Sequence, residues 1–98
     1  METETIRRQV AVGGVVKYDN GQYVRNTEVK ALRKSSREQY ETCMTDTGGK
    51  YFFCDLPNGE YIVLAQVKNK ASEAAVTIKR DAQMNLPMTW LDLEIKTG

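Results

Sequence analysis

Apolar and polar residues alternate with period two along most of this chain, and that rhythm predicts strands rather than helices. From Gln9, the residues Val10, Val12, Gly14 and Val16 fall on one face of a first strand. Its Gly13-Gly14 doublet predicts a bulge or a close backbone approach. Asp19-Asn20-Gly21 is a turn signal, since Asn and Gly tolerate positive φ. A second strand is expected over about Glu28–Leu32, with Val29 and Ala31 inward and Leu32 outward, followed by the polar loop Arg33–Gln39. Tyr40–Thr45 and Lys50–Cys54 read as a hairpin around Asp46-Thr47-Gly48-Gly49. In that register Met44, Tyr51 and Phe53 face the core, and Cys43 stands opposite Cys54 on the other face as a candidate cross-strand pair.

The second half continues the pattern. Leu56-Pro57-Asn58-Gly59 turns the chain into a strand with Tyr61, Val63, Ala65 and Val67 inward. Ile62 and Leu64 make its other face apolar too, so this strand is expected to be central or covered on both sides. A Tyr placed just after such a turn can bond its hydroxyl to backbone a few residues upstream, which makes Leu56, Pro57, Gly59 and Tyr61 a candidate tyrosine corner. After a turn at Lys68-Asn69-Lys70, a sixth strand runs over about Ser72–Lys79, with Ala74, Val76 and Ile78 on one face. Past the turn Arg80–Gln83, the last strand (about Met84–Lys96) changes phase: Met84, Leu86, Met88 and Trp90 share one parity and Leu91, Leu93 and Ile95 the other. A bulge near Trp90 reconciles the two, and Pro87 belongs at an edge. Residues 1–8 lack periodicity and read as a disordered tail, leaving 9–96 as one domain. Together these elements predict an all-β fold, a seven-stranded Greek-key sandwich of immunoglobulin or prealbumin type.

Composition narrows the chemistry. The 98 residues carry net charge +1, too little to recruit nucleic acid or an acidic membrane, and no apolar run approaches the length that spans a bilayer. There is no histidine, which removes Ser–His–Asp and Cys–His nucleophiles, imidazole general bases and His-bearing zinc sites. Two cysteines are too few for a thiolate zinc site, and neither phosphate-loop nor calcium-loop spacing occurs. The expectation is therefore no enzyme, no cofactor and no metal. No export signal opens the sequence, which favours free thiols and a cytoplasmic chain if it is complete, or a surface or extracellular one if it is an excised module.

The letters also resemble a family. Thr45, Asp46, Gly49, Tyr51 and Phe53, then Leu56, Pro57, Gly59 and Tyr61, match the Thr-Asp-x-x-Gly-x-Phe/Tyr-x-Phe and Leu-Pro-x-Gly-x-Tyr runs of carboxypeptidase regulatory-like domains. Gly14, Val16, Gly21 and Val29 fall at its spacing, whereas Tyr23, Asn26 and Thr27 depart from its usual Pro and Gly-Ala. The resemblance implies a transthyretin-type sandwich serving as a non-catalytic accessory module. Two related chemistries find no residues: transthyretin-like hydrolases use histidines, and pilin-type isopeptide cross-links need an inward Lys, whereas Lys17 is on the outward parity.

The expected function is a β-sandwich module for protein–protein interaction or structural spacing. The candidate contact residues are Arg37, Tyr40, Met88 and Trp90, because Arg, Met and aromatic side chains are enriched at interfaces. The alternative is a homodimer paired through edge strands that binds a small hydrophobic or carbohydrate ligand.

Overall fold

The computed structural model describes residues 10–54, 56–79 and 88–97, and they form two sheets of a sandwich-like all-β fold. In chain order the strands are β1 (Val10–Tyr18), β2 (Glu28–Arg33), β3 (Gln39–Met44), β4 (Lys50–Cys54), β5 (Gly59–Val67), β6 (Lys70–Ile78), β7 (Thr89–Trp90) and β8 (Leu93–Ile95). One sheet has the order β4-β1-β7, with β8 also paired to β1, and the other has the order β3-β2-β5-β6. The expected 1–8 tail and the Arg80–Gln83 turn, with Met84, Leu86 and Pro87, lie outside the described residues.

The inward parity of each strand fills the space between the sheets. Val12, Val16, Tyr51, Phe53, Leu93 and Ile95 meet Val29, Ala31, Tyr61, Val63, Ala65, Val76 and Ile78. Burying a side chain of this kind contributes roughly 1.5–3 kcal/mol each, so this layer supplies most of the driving force for folding. β5 is central in its sheet, between β2 and β6.

Three features differ from the sequence pattern. First, β3 and β4 are not a hairpin: β3 pairs with β2, while β4 pairs with β1 in the other sheet. The local turn does exist, with the Asp46 carboxylate accepting from the amides of Gly48 and Lys50 at 2.9 Å each. Just before it, however, the chain changes layers at Thr45. This side chain is buried and accepts from the Thr27 amide at 2.9 Å, while Thr45 N donates to Thr27 O and Asn26 N to Thr45 O. That anchorage ends the β2 ladder and releases the following strand toward β1. Parity inverts as a result. Met44 is outward and 58% exposed, and Cys43, opposite Val29, packs against the core.

Second, Leu32 has the outward parity yet is only 7% exposed, beside an equally covered Ile62 in the adjoining strand. The cover comes from the loop after β2. Arg37, held at φ 60, reaches past β5 to make a two-pronged contact with Glu73 on β6, at 3.1 and 3.4 Å.

Third, the layers are not purely antiparallel, and the last strand is not continuous. β7 and β8 both run parallel to β1, with Gly13 opposite Trp90 and Val16 opposite Leu93. The phase change is made by Leu91 and Asp92 between them. Leu91 N donates to Gly13 O at 2.8 Å, and the Asp92 carboxylate then stands in for a strand carbonyl by accepting from Val15 N at 3.0 Å. The Leu91 carbonyl turns inward and accepts the Tyr51 hydroxyl. This crossing is possible because residue 14 is glycine: a Cβ there would sit 1.9 Å from Leu91 O. The doublet thus marks a close backbone approach, while the irregularity in the β1–β4 ladder falls between Val10 and Val12.

Candidate functional site

The outer face of the β4-β1-β7 sheet is where large apolar side chains meet solvent. Tyr51 and Phe53 point into the core, so Phe52 between them points out. The ladders place Phe52 and Trp90 on either side of Gly13, two strands apart, which sets them about 9–10 Å from each other. Met88, two residues before Trp90, shares its face. An added Cβ on Gly13 would lie 2.7 Å from the Met88 methyl and 2.8 Å from the Phe52 ring. Gly13 therefore leaves a shallow trough that the Met88 methyl and the Phe52 ring fill, and Phe52, Met88 and the adjoining Trp90 are 42%, 44% and 52% exposed. Three such side chains left in water on one small area form a contiguous apolar patch of the sort that marks contact sites.

The four candidate contact residues do not form one surface. Met88 and Trp90 belong to this trough. Arg37 and Tyr40 belong to the other sheet, where Arg37 is engaged with Glu73 and Tyr40 stacks in a cluster with Arg33 and Tyr61. Hydrogen bonding to Glu73, and then its charge, raise the pKa of the Arg37 guanidinium. Phe52 is the member that was not singled out from the letters, although its place between two inward aromatics implies its direction.

At the proposed tyrosine corner, the Tyr61 hydroxyl donates to Pro57 O at 2.7 Å, four residues upstream. Leu56 and Tyr61 are fully buried, and Gly59, at φ 152, starts the strand. Burial raises the Tyr61 phenol's pKa, Arg33 opposes that rise and Tyr40 adds to it. Burial likewise raises that of Tyr51, whose hydroxyl is held by Leu91 O. Neither phenol has a histidine to deprotonate it, and among the described residues no group of three or more Cys, Asp or Glu is disposed to hold a metal ion.

Cys43 and Cys54 are free thiols on strands of different sheets, opposite Val29 and Val10 respectively, so they are not a cross-strand pair. Burial pushes the Cys43 thiol up to about 11; a backbone hydrogen bond at Phe52 acts the other way, and Glu41 and Cys54 add to the rise. The expected result is slow alkylation. Native Cys43 should react with iodoacetamide far more slowly than a free cysteine peptide near neutral pH, with a rate that climbs until pH reaches about 11. Because folding favours the neutral thiol, its contribution to stability is complete below pH 9.0 and is lost as pH rises toward about 11. Labelling of Cys43 at the peptide's rate at neutral pH, read by mass spectrometry, would contradict this assignment.

Among the described residues, no helix is long and apolar enough to cross a membrane. No protein-family model matches the chain, and no curated protein sequence matches it.

Proposed function

We propose that this chain is a non-catalytic interaction module, built on a prealbumin-like Greek-key sandwich of the carboxypeptidase regulatory-like kind. The strand orders β4-β1-β7/β8 and β3-β2-β5-β6, with the final strands parallel to the first, support that topology. The observation that carries the functional reading is the Phe52–Met88–Trp90 trough over Gly13. Leaving about half of each side chain solvated forgoes roughly 1 kcal/mol apiece, which a docked protein surface recovers. The absence of histidine from the whole chain supports a binding role over a catalytic one.

The test is position-specific photo-crosslinking in the source cell. A photoreactive residue at position 90 should give one discrete protein adduct, while the same residue at Lys30, on the outer face of the other sheet, should not. Equal adducts at both positions, or none at 90, would remove the trough as the contact surface. An adduct of twice the chain mass would identify the homodimer instead.

A further inference from the structure

Arg33 closes β2 on the core-facing parity, opposite Tyr61, where the sheet reaches its rim. Its guanidinium carbon lies 4.7 Å from the centre of the Tyr40 ring and 5.5 Å from that of Tyr61. The two rings meet edge-on, with centres 5.9 Å apart. Both rings therefore lie within cation–π range of the guanidinium and hold it in place, while its N–H groups remain donors.

Nothing in the described residues takes those N–H groups. Among the described residues the ion pairs are Lys30 with Glu28 and Arg37 with Glu73, and neither involves Arg33. The nearby backbone carbonyls already accept: Arg33 O from Arg37 N at 2.6 Å, Glu38 O from Arg33 N at 2.8 Å, and Glu60 O from Lys34 N at 3.1 Å. Gly59 packs beside the fork without crowding it, since an added Cβ there would stand 3.8 Å from Nη1, an ordinary contact distance. Tyr40 is 42% exposed, and its hydroxyl has no partner among the described residues. A guanidinium held against two rings, with no ion pair among the described residues, is a preorganised donor, because much of the entropy of ordering it is already spent.

We propose that Arg33, braced by Tyr40 and Tyr61, forms a carboxylate-binding site that receives an acidic side chain of a peptide partner. The fork geometry matches a planar carboxylate in a bidentate contact. Lys34, Glu38 and Glu60 adjoin the site in the chain and with Arg33 leave it close to neutral, which disfavours a dianionic phosphate more than a monoanion. The site lies on the opposite sheet from the Phe52–Trp90 trough, so either can fail without the other.

The experiment is a titration of the isotope-labelled protein, followed at the Arg33 side-chain Nε–H resonance, with a blocked oligoglutamate peptide. Blocked oligoglutamine and inorganic phosphate serve as parallel arms. Oligoglutamate should move the resonance saturably and oligoglutamine should not. Arg33→Lys, which keeps charge but loses the fork, should weaken binding about tenfold. Arg37→Gln and Lys30→Gln should stay within about twofold of the parent, since exposed pairs contribute little. A resonance that does not respond to oligoglutamate overturns the proposal, whether or not phosphate moves it. So does an Arg33→Lys variant that binds as the parent does. The parent titration reads Arg33 directly, so the result does not depend on whether any variant folds.

Discussion

Gly14→Ala is expected to destabilise the protein by about 3–5 kcal/mol, while Gly13→Ala, one residue away, costs about 1 kcal/mol or less. The difference lies in what the new methyl meets. At position 14 it would sit 1.9 Å from Leu91 O and 2.6 Å from Leu91 C, both backbone atoms of a segment pinned on two sides. Making room means withdrawing Leu91, which breaks the hydrogen bond its N–H donates to Gly13 O and strips the Tyr51 hydroxyl of its acceptor inside the core. Overpacking of this kind costs typically 1–3 kcal/mol, and each lost bond adds about 0.5–1.5 kcal/mol, more where a buried donor is orphaned. At position 13 the obstacles are the Met88 methyl and the Phe52 ring, mobile ends on an exposed face that swing aside. Urea denaturation of the two variants provides the check. Equal midpoints would mean that the last segment does not cross β1 at Leu91. Small domains have only about 5–15 kcal/mol in total, so Gly14→Ala should bring the fold close to its limit.

The second large effect is expected at Tyr61. Tyr61→Ala should cost about 3–5 kcal/mol, the usual range for deleting a buried aromatic ring. Tyr61→Phe isolates the hydroxyl and should cost about 1–1.5 kcal/mol, since Pro57 is exposed and its carbonyl can recover a water partner. Tyr40→Phe should change stability by no more than about 0.5 kcal/mol, because the residue is 42% exposed and its hydroxyl has no partner among the described residues. Should Tyr61→Phe match the parent while Tyr61→Ala is severely unstable, the ring alone supports this corner and the bond to Pro57 contributes nothing. Loss of the ring also removes one face of the Arg33 stack, so oligoglutamate binding should fall in whatever fraction of Tyr61→Ala remains folded.

Where two neighbours along the chain obey one local rule, the letters were enough to place them. Tyr51 and Phe53 are inward, and the Asp19–Gly21 turn and the alternation of Val29 with Ala31 follow from short-range patterning. The failures came from choices made at long range. A tight turn at Asp46–Gly49 looks identical whether its flanking strands pair with each other or diverge into two sheets, and the decision rests on Thr45 bonding to Thr27, eighteen residues earlier. From that single fork follow the exposure of Met44, the inward Cys43 and the assignment of the two cysteines to different sheets. Leu32 misled for a similar reason: period two reports the face of a strand, and a loop can cover that face, as Arg37 does in reaching Glu73. The trough was half legible. Met88 and Trp90 stood out as apolar residues off the core parity, whereas Phe52 was masked by the aromatics on either side. The Arg33 stack was not legible, since it needs the register that sets Arg33 against Tyr61.

The parallel union of the first and last strands has a mechanical consequence. β1 departs from Val10 in the same direction that β7 and β8 advance toward Ile95, so those two points lie at opposite poles of the sheet. Tension applied between them would slide one strand along the other and strain the cross-links all at once, where an antiparallel pair tugged from its open end would peel one bond at a time. Forced unfolding is governed by the barrier to breaking such an array rather than by equilibrium stability. The crossing at Leu91 and the carboxylate clasp of Asp92 on Val15 stand in the middle of that line of load.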